Sequence, residues 1–171
     1  DALAARKRFA FEEVFLIQIQ KLNTRKDLEN KKTYDIDISK TVLEEFLKTL
    51  PFTLTTGQRS IVDTVLKDLG QNKGMSRLLE GDVGSGKTAI AAAIAYAVTQ
   101  TRPTGQDFGT LQVAYMAPTE VLAKQLFESF IEFFKPFKIQ IGLITGSGAY
   151  KFPSKVSKET YTNISKPQLL K

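Results

Sequence analysis

The chain of 171 residues contains no cysteine and no histidine. It can therefore form no disulfide, and it lacks the usual zinc ligands and the members of a Ser-His or Cys-His catalytic pair. It also has no run of about 18 apolar residues, the length that a membrane-spanning helix needs. These absences exclude zinc sites built from Cys or His, and hydrolases with a cysteine nucleophile or a Ser-His pair. We expect no membrane partner and a cytoplasmic protein.

The composition predicts a folded chain rather than a disordered one. Hydrophobic residues make up 42% of the sequence, which is enough to build a core. The sequence begins with Asp1 instead of methionine, and no secretory signal follows. We therefore expect a fragment of a longer protein.

Positive charge is concentrated in the last part of the chain. The net charge is +6, and residues 135–171 hold seven lysines against one acidic residue, Glu159. Such a segment is able to contact phosphate groups, or it is a solvated, lysine-rich surface loop. Charge alone leaves both interpretations open.

Apolar periodicity and breaker residues predict helices first, and then alternating strands and helices. We expect helices over Leu3 to about Lys32, Thr41 to before Pro51, Thr56 to Leu69, Lys87 to about Val98, and Thr119 to about Phe134. We expect strands at Arg77–Glu80, Leu111–Ala117 and Ile139–Thr145, with mostly loop, or a partly helical segment, beyond Gly148. Strands that alternate with helices indicate right-handed βαβ crossovers. The sequence therefore predicts an α/β fold with a parallel sheet and flanking helices.

Three helix starts carry capping signals. The spacing of Thr41-Val-Leu-Glu44 and of Thr55-Thr-Gly-Gln58 is that of a capping box, in which two side chains satisfy each other's backbone amides. Thr119 precedes an amphipathic segment and is the expected N-cap of that helix.

One segment carries the clearest chemical signal. Residues 81–88 match the pattern G-x-x-x-x-G-K-[ST] in full, and they run Gly81, Asp82, Val83, Gly84, Ser85, Gly86, Lys87, Thr88. Glycines let successive amides point at phosphate oxygens, the lysine reaches the β- and γ-phosphates, and the hydroxyl is offered to Mg²⁺. A chance match in a glycine-bearing turn is the alternative. The apolar strand predicted before the segment and the helix predicted after it favour binding of ATP with Mg²⁺.

Two longer strings resemble RecG-type DNA helicases. They are Leu78-Leu-Glu-Gly-Asp-Val-Gly-Ser-Gly-Lys-Thr88 and Met116-Ala-Pro-Thr-Glu-Val-Leu-Ala123. The resemblance implies a P-loop NTPase of the RecA-like class, and a monomeric, double-stranded DNA translocase that remodels stalled forks and recombination intermediates. It further implies that residues 1–50 are a helical linker from a wedge-type DNA-binding domain. Residues 51–171 are then the first half of motor domain one.

The resemblance also implies an adenine contact. Phe52-Thr-Leu-Thr55 with Gln58 resembles the family's adenine-recognition segment, in which an aromatic ring and a glutamine meet the base. A glutamine amide offers a donor and an acceptor to the adenine edge. Since Gln58 also belongs to a capping box, both roles stay open.

Two further stretches resemble the family's contacts to the DNA backbone. Thr119, at the start of a helix, and the turn Thr145-Gly146-Ser147, after a strand, have hydroxyls and amides that suit phosphate oxygens. Helix capping and an ordinary turn are the alternatives. With these stretches, the resemblance implies branched DNA, held through its sugar-phosphate backbone, as the partner.

One expected motif is missing. The family's Asp-Glu pair, which lies in a short strand, binds Mg²⁺ and activates water, is absent, and we expect the chain to end before it. The parent is then an ATP-hydrolysing helicase, whereas the fragment alone is inactive. A nucleotide-binding module that never hydrolyses ATP is the main alternative. A small-molecule kinase is less favoured, because Arg102 is the only arginine after Thr88.

Overall fold

The computed structural model describes residues 2–36, 38–103, 105–154 and 160–169. Within them the chain forms six helices and three strands. The helices are α1 (Ala2–Glu29), α2 (Lys40–Thr49), α3 (Thr56–Leu69), α4 (Lys87–Gln100), α5 (Glu120–Phe134) and α6 (Lys166–Leu169). The strands are β1 (Ile141–Ile144), β2 (Ala149–Phe152) and β3 (Thr162–Ile164). The structure is therefore α/β, as predicted, and rich in helix.

The main core lies where α2, α4 and α5 meet. Phe46 of α2 is fully buried, and its ring stacks on Tyr96 of α4 with centroids 4.6 Å apart. Phe134 of α5 lies 5.6 Å from Phe46, between centroids. Alanines of α4 that are almost fully buried let the neighbouring helices approach closely. This aromatic cluster fixes α4, the helix that follows the glycine-rich segment.

The helix starts are capped, with one difference from the prediction. The capping box of Thr55 and Gln58 is present at α3, and Thr119 caps α5. The cap of α2 is instead Ser39, whose side chain accepts from the Val42 amide. The predicted capping box at Thr41 is therefore wrong. Ser39 is the last residue with extended backbone, so Thr41 already lies inside the first turn.

The sheet differs from the prediction more strongly. β2 pairs antiparallel with β1 and with β3, in the order β1-β2-β3. The expectation of mostly loop beyond Gly148 is therefore wrong for the described residues there, whereas the helical part, its alternative, is present as α6. A tight turn after β1 returns the chain onto β1, where Phe152 is buried with Leu143 against α5. A pair of neighbouring strands joined by so short a turn has to be antiparallel.

The predicted parallel sheet is likewise not formed among the described residues. Residues 75–80 and 111–117 run without regular structure, and no strand pairs with either. Leu78 is 84% exposed and Met116 is 91% exposed. A strand is defined by hydrogen bonds to a neighbour, and a parallel strand is normally covered on both faces. Neither condition is met for these two segments.

α1 takes no part in the main core or in the cluster of Leu143 and Phe152 on α5. It contains no buried residue, although Phe9, Phe11 and Phe15 lie on it. Its C-terminal end is held by an antiparallel bridge between Lys32 and Lys73, and the Gly74 amide donates to the Lys31 carbonyl at 3.2 Å. Among the described residues, no helix is long and apolar enough to cross a membrane.

Candidate nucleotide site and nucleic-acid interface

The glycine-rich segment forms a compact loop at the N-terminus of α4. Gly84 and Gly86 have φ values of 79° and 80°, in the left-handed region that side chains disfavour. Gly86 is the N-cap residue of α4, and its carbonyl accepts from the amides of Ala89 and Ile90. α4 has no side-chain cap. Its first amides and the positive end of its dipole are thus directed to the loop.

The ammonium group of Lys87 lies inside this loop. Its Nζ donates to the carbonyl oxygens of Gly81 and Asp82, both at 2.6 Å. The Ser85 amide donates to the Asp82 carbonyl at 3.1 Å and closes the turn. A fixed positive charge therefore stands beside the leading end of a helix, and this is the combination that attracts phosphate.

Gln58 connects the start of α3 with the same loop. Its Oε1 accepts from the Thr55 amide at 2.8 Å, and its Nε2 donates to the Ser85 carbonyl at 2.9 Å. A primary amide has two N–H donors and two acceptor positions, so one of each remains for a ligand. The structure thus brings Gln58 to the predicted phosphate loop and also realises its capping role.

Phe52 occupies a different neighbourhood. Its ring is 44% exposed and packs edge-on against Phe133 of α5, with centroids 6.4 Å apart. The aromatic ring and the glutamine of the predicted adenine site are therefore held by different neighbours, one by α5 and the other by the loop. An adenine contact by Phe52 stays a prediction.

The described residues around the glycine-rich loop offer few ligands for a divalent metal ion. Thr88, in the first turn of α4, supplies one hydroxyl. The described residues contain no group of three or more His, Cys, Asp or Glu that is able to hold a metal ion. Mg²⁺ characteristically binds through one or two carboxylates together with the phosphates of the substrate. The described residues thus fit Mg²⁺ only as a companion of bound triphosphate, with Thr88 as a single protein ligand.

The two predicted DNA-contacting stretches lie next to each other. Thr119 Oγ1 accepts from the Leu122 amide at 3.3 Å at the start of α5. The turn after β1 is closed by Thr145, which is buried and whose amide donates to the Gly148 carbonyl at 2.9 Å. Ser147 is exposed at the tip of this turn.

Glu120 joins these two stretches. Ser147 Oγ donates to Glu120 Oε1, and Lys124 Nζ lies 2.9 Å from the same oxygen. The Ser147 hydrogen bond first, and then that of Lys124, hold the pKa of the Glu120 carboxyl below its usual range. The same carboxylate raises the pKa of Lys124. A carboxylate and an ammonium group, both charged near neutral pH, thus stand between the predicted DNA contacts.

Sequence reasoning missed two residues that organise these sites. One is Glu120, whose spacing of four to Lys124 is the signal for an ion pair on one helix face. The other is Arg59, which binds Glu44 of α2 and, at 3.2 Å, Asp63 of its own helix. The hydrogen bond that the Arg59 guanidinium donates to Glu44 outweighs burial and raises the pKa of Arg59. Arg59 thereby fastens α3, which carries Gln58, to α2.

The sequence is similar to known helicases. Residues 55–170 match the sequence model of the DEAD/DEAH box helicase family. Among curated proteins, the ATP-dependent DNA helicase RecG of Aquifex aeolicus is 36% identical over 141 residues, which cover 82% of this chain and 17% of that protein. RecG of Bacillus subtilis is 37% identical over 145 residues, covering 84% of this chain and 20% of that protein. RecG of Staphylococcus aureus strain MRSA252 is 40% identical over 149 residues, covering 86% and 20%.

These matches confirm the resemblance to RecG-type helicases that the sequence predicts. The chain spans only 17% to 20% of the length of these three relatives. No solved structure matches it.

Proposed function

Since this chain belongs to the DEAD/DEAH box helicase family, we propose that it forms the ATP-binding part of an ATP-dependent DNA helicase. In this proposal the whole protein translocates on double-stranded DNA and remodels branched structures such as stalled forks and recombination intermediates. Residues 1–50 are a helical linker from a preceding DNA-binding domain. Residues 51–171 are the first half of the first motor domain.

The observation that carries the proposal is the position of the Lys87 ammonium group inside the loop at the start of α4. The amides of residues 81–88 and the charge of Lys87 would hold the β- and γ-phosphates of ATP. To meet the γ-phosphate, Lys87 exchanges its bonds to the Gly81 and Asp82 carbonyls for bonds to phosphate oxygens. Bound Mg²⁺ would neutralise charge on the β- and γ-phosphates, and Thr88 would supply one ligand to it.

Gln58 extends the site toward the base. The donor and the acceptor that it has left suit the edge of adenine, while its bond to the Ser85 carbonyl keeps the amide beside the phosphates. Phe52 completes this part of the proposal as the aromatic contact of the base.

Thr119 and the turn Thr145-Gly146-Ser147 are proposed to contact DNA. The first amides of α5 and the hydroxyls of Thr119 and Ser147 are suitable partners for backbone phosphates. Such contacts carry no sequence information, which is what an enzyme that moves along any DNA sequence requires. In the whole helicase, these contacts would convert movement between motor domains into steps along the duplex.

Binding of Mg-ATP to the purified chain tests the nucleotide site. We expect titration with a fluorescent ATP analogue to give saturable binding that Lys87→Ala reduces at least tenfold, about 1.4 kcal/mol, since the only lysine of the loop is removed. Lys67→Ala is the matched control, because Lys67 is an exposed lysine on α3 outside the loop. Equal binding by wild type and Lys87→Ala, with both folded, would contradict the proposed site.

Hydrolysis needs a second measurement. We predict negligible steady-state turnover for this chain alone, with or without branched DNA, because the described residues bring no acidic cluster to the loop. Turnover clearly above that of Lys87→Ala would show that the chain itself holds a complete hydrolytic site. Binding without turnover also fits the alternative of a module that never hydrolyses ATP, and turnover by the whole protein distinguishes the two.

A further inference from the structure

The carboxylate of Glu120 occupies the space between the two stretches proposed to contact DNA. Oε1 accepts the Ser147 hydroxyl, and Oε2 lies 3.7 Å from the position that a Cβ would take on Gly146. Both oxygens of the carboxylate therefore face the turn after β1. The residue itself is the first of α5, directly after Thr119.

Ser147 has a single hydrogen to donate. A serine hydroxyl donates one hydrogen bond, and in this structure that bond goes to Glu120. Thr145 Oγ1 accepts from the Gly148 amide, and its own hydrogen is within reach of the Gly148 carbonyl and of Ser147 Oγ, both 3.2 Å away. A phosphate oxygen is only an acceptor, so it can take the Ser147 hydrogen only after Glu120 has released it.

Lys124 is held by the same carboxylate. Its Nζ lies 2.9 Å from Glu120 Oε1, one helical turn from the start of α5. While this ion pair persists, the positive charge of Lys124 is offset at the place where a DNA phosphate would arrive. Like charges also repel, so the carboxylate opposes a phosphate at Ser147 directly.

We propose that Glu120 is an internal competitor of the DNA backbone, which keeps Ser147 and Lys124 from a phosphate until DNA displaces its carboxylate. Lys124 is then a further DNA-contacting residue that becomes available only on displacement. This inference rests on the proposed contact of DNA with the turn 145–147. A backbone contact that is always opposed by a nearby charge is weak and readily released, which suits repeated stepping.

Binding of the chain to a fluorescein-labelled duplex, measured by anisotropy at several salt concentrations, tests the inference. Glu120→Gln keeps an acceptor for Ser147 but removes the charge and the ion pair to Lys124. We expect this variant to bind more tightly than wild type, with a salt dependence steeper by about 0.9 for one added phosphate contact. Its advantage should then shrink about 3.5-fold between about 50 and 200 mM salt.

The controls separate a local effect from a general gain of positive charge. Glu128→Gln makes the same change of charge at an exposed position on α5, two turns away. We expect it to raise affinity less and to leave the salt dependence unchanged. Adding Lys124→Ala to Glu120→Gln should return the salt dependence to that of wild type. Thermal unfolding of each variant shows that it is folded.

The outcomes distinguish this inference from the function on which it rests. If Ser147→Ala and Thr119→Ala weaken DNA binding while Glu120→Gln behaves like Glu128→Gln, the DNA contact stands and the role of Glu120 is refuted. If DNA binding is insensitive to Ser147→Ala and Thr119→Ala, the proposed DNA contact fails, and the role of Glu120 fails with it.

Discussion

Replacement of Gln58 by glutamate separates the two roles that this side chain holds at once. The new carboxylate keeps an acceptor for the Thr55 amide, so the capping box of α3 persists. It places an oxygen where Nε2 now donates to the Ser85 carbonyl at 2.9 Å, so a donor is exchanged for an acceptor. It also adds a negative charge next to the phosphate loop. Gln58→Ala, by comparison, removes both hydrogen bonds.

The structure gives the expected magnitudes. One hydrogen bond contributes about 0.5–1.5 kcal/mol, so Gln58→Ala should lower the free energy of unfolding by about 1–3 kcal/mol. Gln58→Glu loses one bond, but a negative charge near the start of a helix returns about 0.3–1 kcal/mol. Its stability should therefore stay within about 1 kcal/mol of wild type. For ATP, Gln58→Ala loses both contacts to adenine, about 1–3 kcal/mol or roughly 5- to 150-fold in affinity. Gln58→Glu keeps the acceptor and loses only the donor, about 0.5–1.5 kcal/mol or roughly 2- to 13-fold.

Thermal unfolding and nucleotide titration together decide between the roles. We expect wild type to prefer ATP over GTP and Gln58→Ala to lose this preference and to unfold at a clearly lower temperature. Gln58→Glu should keep the preference in part, because it retains the acceptor for the adenine amino group, and should unfold near the wild-type temperature. Gln58→Glu should bind any triphosphate more weakly than Gln58→Ala, because its charge repels the phosphates. If Gln58→Ala keeps the wild-type preference for ATP, Gln58 is a capping residue only and the proposed adenine contact is refuted.

Three other predictions follow from single contacts. Gly86→Ala should lower the free energy of unfolding by about 1–2 kcal/mol, because alanine disfavours the left-handed backbone of this position, and lower Tm by about 2–8 °C in thermal unfolding. The new Cβ would in addition lie 2.6 Å from Gln58 Nε2, which has to move. An unchanged Tm contradicts this prediction. Phe46→Ala should lower the free energy of unfolding, measured by urea denaturation, by about 3–5 kcal/mol, because it opens a cavity among aromatic rings. A loss below about 1 kcal/mol would show that the neighbouring side chains fill the cavity. The lowered pKa of Glu120 means that its bond with Ser147 stabilises the fold fully above its ordinary pKa of 4.5 and is lost as the pH falls through the lower folded value. When Tm is measured from about pH 3 to pH 7, it should therefore fall less steeply at the acid end for Glu120→Gln than for wild type. Parallel curves for the two proteins would contradict this prediction.

Features that depend on a few neighbouring residues were predictable from the sequence. The capping box of Thr55 and Gln58, the Thr119 cap and the start of α4 after Gly86 all involve groups within one turn of helix. Apolar periodicity likewise gave α3 and α5 their bounds. In such cases the partner of each group is fixed by its spacing along the chain.

Features that depend on partners far away along the chain were not predictable from the sequence. Residues 77–80 and 111–117 have the composition of strands, but a strand exists only if another segment offers it hydrogen bonds. β2 was missed for the opposite reason. Its buried residues, Ala149 and Phe152, stand three apart and show no alternation, and the antiparallel return onto β1 is what forms the strand. Glu120 was missed because Ser147, its partner, is 27 residues away.

The attachment of α1 gives this helix mechanical leverage. A helix of 28 residues is about 42 Å long, and the bridge between Lys32 and Lys73 lies three residues beyond its C-terminal end. The residue after that bridge, Gly74, begins the stretch that runs directly into the phosphate loop. A tilt of about 5° at the bridge displaces the distant tip by about 4 Å, by the length of the helix alone. Conversely, a lateral force at the tip acts on the bridge through a lever arm of about 42 Å, and the stretch that leads to the phosphate loop begins at that bridge.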